Sequence, residues 1–224
     1  MKTRSLFKPL TIGLTAFMLF TSATIQDKQD EKLRDATAVI RDFGAMHEKI
    51  PHQLFEQTQG LIIIPKMINA GLVVGGKRGK GVAIVKGTDG KWSNPVFVTL
   101  TGGSLGLQAG VQSVDLVLVF KNRETLTKIG KGSFTLGGDI SVAAGPVGRN
   151  STANTDYKFE AEVYSYSRSR GLFAGISLNG ASLSVDKKAN SAFYSNDNSA
   201  RDIFFSSKTS SASARDLREA LRAL

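Results

Sequence analysis

The catalytic spacing that stands out in this chain is Gly102–Gly106, which matches the G-x-S-x-G elbow of α/β-hydrolases and offers Ser104 as a nucleophile. That fold places its histidine after the serine, whereas both histidines of this chain, His47 and His52, precede Ser104. In a chain with 23 glycines, a match to two fixed glycines is easily found by chance. We therefore predict a structural Ser104, close strand packing or a bend at its glycines, and no enzyme activity. A serine hydrolase is the remote alternative.

The two histidines do not fit a metal site either. His47 and His52 are five residues apart, whereas a helical metal-binding pair needs a spacing of three or four, and Pro51 interrupts any helix between them. The chain contains no cysteine, which excludes disulfides and thiolate chemistry. We predict two surface histidines, no metal and no cofactor.

A basic, glycine-rich stretch, Gly75–Gly81, carries Lys77, Arg78 and Lys80. It is not a P-loop, because Val74 stands where the first glycine is needed and no Ser or Thr follows Lys80. Two interpretations remain open. One is a loop whose free backbone N–H groups and three cations suit a phosphate headgroup, and the other is a solvated hairpin turn with ordinary surface cations.

A second pattern alternates serine with large side chains. If this segment is a strand, the side chains of Tyr164, Tyr166, Arg168 and Arg170 share one face. Two interpretations stay open for this strip: a membrane-facing or ligand-facing surface, and an edge strand with aromatic packing.

The elements that position these residues begin with a helix predicted over Asp27–Ala45, in which apolar residues recur at three- and four-residue spacing. This apolar face is narrow and is typical of a helix that packs on its own domain, although insertion into a membrane is the alternative. The cations on this helix are Lys28, Lys32, Arg34 and Arg41.

From Gly60 onwards the pattern favours strands. Leu61–Ile64 is predicted as a buried strand ended by Pro65, and Thr88–Lys91 as a hairpin turn. Further strands are predicted over Gly71–Gly75, Gly81–Lys86, Pro95–Leu100, Ser113–Phe120, Gly132–Ala144, Lys158–Tyr166, Leu172–Leu178 and Ala181–Val185. Short helices are predicted over Pro51–Gln57, Lys121–Ile129, Ala189–Tyr194, Ala200–Phe205 and Ser213–Leu224. The predicted fold class is α+β, with a β-rich antiparallel sheet or barrel-like core and helices packed at the N- and C-terminal ends.

The N-terminus has the composition of a secretory signal. A basic start precedes the apolar run Leu10–Phe20, and Thr21-Ser22-Ala23 supplies small residues for cleavage after Ala23. We predict a signal peptide over residues 1–23 and a single domain over residues 24–224. The protein is predicted to be periplasmic or secreted, either free or bound peripherally to a membrane. The alternative is an uncleaved membrane anchor.

The charge of the chain is strongly basic. The whole sequence has net charge +10, and without residues 1–23 it keeps 26 Lys and Arg against 19 Asp and Glu, or +7. Such a charge favours acidic partners such as anionic lipid or other polyanions. Nucleic acid is not an expected partner of an exported protein.

Several segments, in order along residues 30–224, resemble the SYLF family of lipid- and actin-binding domains, also described as Ysc-type domains. The matching segments are Gly60–Pro65, Ala70-Gly71 with Gly75-Gly76 and Gly79, Asp89–Pro95, Thr101–Gly110 with Asp115, Leu136–Asp139, Ala144–Arg149, Tyr164–Arg168, Gly171–Gly175, and Asn190 with Phe193-Tyr194. The resemblance implies binding to membrane phospholipids, and in some fungal members to actin. For an exported bacterial member, actin is not the expected partner.

Together these patterns predict an exported, non-enzymatic domain that binds anionic phospholipid or envelope membrane surfaces through basic residues. The predicted lipid-binding residues are Lys28, Lys32, Arg34, Arg41, Lys77, Arg78 and Lys80. The alternative is a structural or protein-interaction module of the envelope, with a protein partner and no lipid ligand.

Overall fold

The computed structural model describes residues 9–46, 50–71, 74–105, 110–146, 160–169, 172–205 and 211–224. Six α-helices lie in these segments: α1 Pro9–Ala45, α2 His52–Glu56, α3 Arg123–Thr127, α4 Lys187–Tyr194, α5 Ala200–Phe205 and α6 Ala212–Arg222. A 3-10 turn, Lys128–Lys131, follows α3. The short helices α2 to α6 were all predicted to within a few residues.

Nine strands form one curled sheet, a half-barrel. They are β1 Gly60–Gly71, β2 Val74–Val85, β3 Val96–Leu105, β4 Gly110–Phe120, β5 Phe134–Thr135, β6 Val142–Ala144, β7 Val163–Ser169, β8 Leu172–Gly175 and β9 Ser182–Val185. The order across the sheet is β5-β9-β3-β2-β1-β4-β7-β6, with β8 also paired to β7. All pairs are antiparallel except β6 with β7. The predicted fold class, α+β with helices at both ends, is confirmed.

The central strands are buried on both faces, which explains their continuous apolar runs. In β1, Leu61 and Ile63 pack against α1, α4 and α6, whereas Ile62 and Ile64 face the inside of the half-barrel. The inner core is closed by α3, α5 and the short strand β5. Alternation along each strand therefore gives the sheet a helix-covered face and an inner face.

Strand β1 does not end at Pro65, as the sequence had predicted. It continues to Gly71 across an irregularity in which its register with β2 and with β4 shifts between Ile63 and Ile68. A bulge tolerates proline because one backbone position leaves the hydrogen-bonded ladder. The next residue, Lys66, has φ 51°, and its N–H donates to Asp115 Oδ1 on β4 at 3.0 Å.

The basic stretch Gly75–Gly81 lies inside β2, so both interpretations of it, a phosphate loop and a hairpin turn, are wrong. Its residues are in register with β1 on one side and β3 on the other. The glycines serve the bulge in β1. A Cβ at Gly81 would collide with the carbonyl oxygen of Ile63, and one at Gly79 would collide with the side chain of Ile64.

Helix α1 begins well before Asp27 and runs without a break to Ala45. Its predicted apolar face is confirmed: Leu33, Ala36, Ile40 and Phe43 are all buried against the sheet. The predicted signal peptide, residues 1–23, has its first eight residues and all its side chains outside the described part of the chain. Among the described residues, no helix combines the length and apolar character needed to cross a membrane.

The strand predicted over Gly132–Ala144 is reduced to β5 and β6, because a turn with Gly137 at φ 80° separates them. The hairpin turn at Thr88–Lys91 is confirmed. Gly90 adopts φ 75°, and the N–H of Gly87 donates to the carbonyl of Lys91 at 2.7 Å. A positive φ of this kind is the reason that Asp-Gly favours tight turns.

Candidate functional site

The Ser104 segment is built as a hairpin strand and not as a nucleophile elbow. Ser104 pairs with Gly75 in the ladder between β3 and β2, and the chain then returns as β4, where an elbow would lead into a helix. A Cβ at Gly102 would lie 3.0 Å from Ala181, so this glycine permits the close packing that was predicted. His52 is exposed beside Glu56, with 3.4 Å between Nδ1 and Oε1. His47 lies outside the described residues.

The cations predicted on α1 do not form a basic surface. Arg34 and Arg41 are exposed, but they share the outer stripe of the helix with the exposed acids Asp27 and Glu31. Lys28 is also exposed. Because the apolar face of the helix is already buried on the sheet, it is not free to insert into a bilayer.

Lys80 and Lys32 take part in a structural cluster. Lys80 Nζ lies 2.7 Å from Asp186 Oδ2, and Asp186 also accepts from the N–H of Ala189 at the start of α4. The pKa of Lys32 is lowered, first by burial and then by the charge of Lys80. Lys80 therefore joins β2 to the start of α4 through Asp186, and Lys32 is a half-buried cation of α1 near this ion pair.

Lys77 and Arg78 lie further along β2, beyond α1, and strand alternation places them on opposite faces. Lys77 Nζ donates to the carbonyl of Ser177 at 3.2 Å, and burial lowers the pKa of this amine. Arg78 is exposed on the helix-covered face, where it pairs with Ile68 of β1 and Thr101 of β3. Of the seven predicted cations, these two lie at the end of the sheet.

We define the hairpin end as the described residues 68–71, 74–79, 101–105, 110–114, 169 and 172–175, the ends of β1, β2, β3, β4, β7 and β8 that lie at the same end of the sheet. In sequence, the segments 68–79, 101–114 and 169–175, which include these strand ends, contain Lys77, Arg78 and Arg170 and no Asp or Glu. Ile68, Val111 and Leu172 are 43%, 72% and 77% exposed there. Ile68 and Val111 are diagonal neighbours on one face, because Ala70 is in register with Val111.

A network of ion pairs borders the hairpin end. Arg168 places one guanidinium nitrogen 2.7 Å from Asp42 on α1 and another 2.7 Å from Asp115 on β4. Lys66 Nζ lies 2.9 Å from Asp35 Oδ2, and this hydrogen bond is the main cause of a raised Lys66 pKa. The carboxylates nearest to the hairpin end are therefore engaged by cations of the fold itself.

The burial of the tyrosines decides between the two interpretations of the Tyr-Arg strip. Tyr164 and Tyr166 share one face of β7, as predicted. They are only 5% and 0% exposed and belong to the same buried cluster as the apolar residues of α1. Aromatic packing is therefore the correct interpretation of the tyrosines, but β7 is not an edge strand, since β4 lies on one side of it and β6 and β8 on the other. Arg170 lies outside the described residues.

Sequence reasoning missed the exposed apolar residues of the hairpin end and Asp115 as an ion partner. Val111 lies outside the predicted strand Ser113–Phe120 and Leu172 lies inside a predicted strand, and nothing in their spacing separates a buried position from an exposed one. The distribution of acidic residues could have indicated this surface, because three glycine-rich segments contain no carboxylate in a chain with 19 Asp and Glu.

Comparison with known proteins gives a consistent result. A family model described as "Ysc84: Las17-binding protein actin regulator" matches residues 101–224. The SH3 domain-containing YSC84-like protein 1 of Bos taurus is 36% identical over 195 residues, which are 84% of this chain and 57% of the relative, and the Homo sapiens protein is 35% identical over the same span. LAS seventeen-binding protein 3 of Saccharomyces cerevisiae is 34% identical over 164 residues, covering 72% of this chain and 35% of the yeast protein. This chain thus spans little more than half the length of its animal relatives.

Proposed function

The chain belongs to the Ysc84 family, also called SYLF, and from this membership we propose that it is a non-enzymatic domain that binds anionic phospholipid surfaces through its hairpin end. The family is of a protein-binding, actin-regulator type and is not a known enzyme family.

The observation that carries this proposal is the composition of the hairpin end. Exposed Ile68 and Val111 lie on the same face of the sheet as Arg78, Leu172 is exposed on β8, and Lys77 lies on the other face of β2. The hairpin segments contain no carboxylate in sequence. A surface that combines apolar side chains with cations and excludes acids suits the boundary between headgroups and acyl chains. Each cation near an anionic leaflet contributes on the order of 1 kcal/mol, and the contribution falls with salt.

This proposal changes which of the predicted lipid-binding residues matter. Lys77 and Arg78 stay as contacts to headgroups, whereas Lys80 is engaged by Asp186 and Lys32 is half-buried near that ion pair. Lys28, Arg34 and Arg41 share the exposed surface of α1 with Asp27 and Glu31, and these acids weaken the attraction of the surface to an anionic leaflet.

Vesicle co-sedimentation tests the proposal with a pair of charge-matched variants. Lys77→Gln with Arg78→Gln removes two cations from the hairpin end, and Arg34→Gln with Arg41→Gln removes two from the outer face of α1. At about 1 kcal/mol per cation, the first variant binds anionic vesicles roughly 30-fold more weakly, while the second binds like the wild type. Equal binding of the wild type to neutral and anionic vesicles, or greater loss in the α1 variant, contradicts the proposal.

A protein partner is the second candidate function, and the names of the relatives favour it. The family model and the yeast relative are both described as binding Las17. The expectation that actin is not a partner has no support in these comparisons. Co-sedimentation with filamentous actin in detergent, without lipid, separates this candidate from the first, since recovery of the protein with actin under those conditions needs no membrane.

We also propose that the protein is exported, because an apolar run precedes the predicted cleavage site at Ala23. Cleavage there leaves the packed part of α1, Leu33 to Phe43, intact. Mass spectrometry of the protein from the periplasm or culture medium then finds Thr24 as its first residue. A full-length N-terminus confined to the cytoplasm contradicts export.

A further inference from the structure

The end of the sheet opposite the hairpins holds an open cleft of about 1000 Å³. Its walls come from the β2–β3 connection, α3 with the first residue of the 3-10 turn, α5 with the residue before it, and one residue of α6. This volume is at the upper end of the range typical of small-molecule sites. The cleft is separate from the hairpin end, because the β2–β3 turn and the hairpins cap opposite ends of the same strands.

The cleft is basic. Asp89 and Glu124 line it together with five cations, which are Lys91, Arg123, Lys128, Arg201 and Arg218. Asp89 is already engaged, because it accepts from the backbone and the side chain of Lys91, and these contacts lower the pKa of Asp89. Within the described part of the chain, Arg123, Lys128 and Arg201 make no ion pair and are available to a ligand.

Arg218 is fixed at the back of the cleft. Its Nη1 donates to Asn94 Oδ1 at 2.7 Å. Burial is the main cause of the lowered pKa of this guanidinium; Tyr194 acts in the opposite direction, and the charges of Arg222 and Arg215 add smaller lowering effects. An anion that approaches Arg218 therefore relieves the repulsion among several cations held by the fold.

The cleft also has an aromatic part. Trp92 and Phe204 are buried in its wall, while Phe205 is 48% exposed and its ring lies 5.9 Å from the guanidinium carbon of Arg123. A planar guanidinium fork matches phosphate oxygens in a bidentate manner, and an exposed ring offers a stacking surface. The combination of arginines and aromatic rings distinguishes this cleft from an evenly charged surface.

We infer that the cleft binds a soluble organic phosphate, in which arginines hold the phosphate and Phe205 contacts an apolar or aromatic portion of the ligand. A soluble ligand is favoured over a lipid headgroup, because a domain attached to a bilayer by its hairpin end turns this cleft towards the solvent. The choice of a soluble ligand rests on the proposed membrane binding, whereas the anion site itself does not, since the cleft exists in the free protein.

Fluorescence titration tests the site, because Trp92 is the one tryptophan of the sequence and lies in the wall of the cleft. The probes are adenosine monophosphate, adenosine and inorganic phosphate, in the absence of vesicles. We expect the monophosphate to change the Trp92 emission with an affinity at least about tenfold higher than either fragment, since each fragment makes part of the contacts.

Variants then locate the binding. Arg123→Gln with Arg201→Gln weakens the monophosphate at least about tenfold through loss of charged hydrogen bonds, and Phe205→Ala weakens it without changing the response to inorganic phosphate. Arg34→Gln with Arg41→Gln, which removes the same charge from α1, leaves the titration unchanged. Equal losses in both double variants, or no saturable response to the monophosphate, overturn the inference. A short-chain phosphatidic acid below its micelle concentration that saturates the cleft more tightly than the monophosphate overturns the assignment of a soluble ligand.

Discussion

The side chain of Asn190 makes backbone hydrogen bonds to β3 of the kind that a neighbouring strand would make. Its Oδ1 accepts from the N–H of Phe97, and its Nδ2 donates to the carbonyl oxygens of Phe97 and Asp186, each at 2.9 Å. Strand β9 pairs with β3 only as far as Val98, so this buried amide continues the hydrogen bonding where β9 ends. The side chain thereby fixes α4 to the edge of β3.

Replacement of Asn190 by Ala is expected to lower the free energy of unfolding by about 2 kcal/mol or more. The reason is that the N–H of Phe97 is left buried without an acceptor. Thermal unfolding measures the effect, and Asn179→Ala, at an exposed position, serves as the control. Equal melting temperatures for the two variants would show that the Asn190 amide does not stabilise the fold.

Asp186 gives the fold a pH dependence with a defined sign. Burial opposes ionisation of Asp186, but hydrogen bonds from Lys80 and from the N–H of Ala189 outweigh it, and its pKa is lowered. A lowered pKa in the folded state stabilises the protein above the unfolded value of about 3.9, and this stabilisation is lost as the pH falls through the folded value.

Asp186→Asn is therefore less stable than the wild type at pH 7, and the difference shrinks as the pH falls below about 4. Denaturant unfolding at several pH values measures it. Lys187→Gln, at the next and exposed position, is the control and should show no such convergence. A difference between Asp186→Asn and wild type that stays constant down to about pH 2 rules out this role.

At the scale of elements, β1 and β2 show what local sequence can and cannot predict. The apolar run Leu61–Ile64 predicted a buried strand correctly, because a strand buried on both faces consists almost entirely of apolar residues. Pro65 predicted an end that does not occur, since the bulge there depends on Asp115, which is distant in sequence. The glycines of β2 looked like a turn because the close approach of β1 that requires them is a tertiary feature.

Gly81→Ala tests the bulge and should destabilise the protein by about 2 kcal/mol, because the new methyl group meets backbone atoms of Ile63 that have little room to move. In a domain of this size that corresponds to a fall in melting temperature of roughly 4–8 °C. Gly103→Ala is the matched control, since a Cβ at Gly103 would meet no atom within 4 Å. A variant at Gly81 as stable as the one at Gly103 would contradict the close approach of β1 and β2.

At the scale of the whole molecule, the sheet separates two surfaces of different character. The hairpin end combines exposed apolar side chains with cations, whereas the opposite end holds a basic cleft with an aromatic wall. The sequence predicted the family, the fold class and the basic charge. It did not predict either surface, because each one collects residues from segments that only the strand order brings together. Lys77 and Arg78 were predicted as lipid contacts, but only the strand order shows that the exposed Val111 and Leu172 lie at the same end of the sheet.

The orientation of the domain on a membrane is the most direct test of the central proposal. The chain has no cysteine, so a single cysteine at Val111 or at Thr88 carries one environment-sensitive fluorophore without interference. Val111 is exposed at the hairpin end, and Thr88 is exposed beside the cleft at the opposite end. On addition of anionic vesicles, we predict a blue shift and quenching by lipid-borne quenchers for the label at position 111 and no change for the label at position 88. A blue shift at position 88 with an unchanged signal at position 111 would contradict the account.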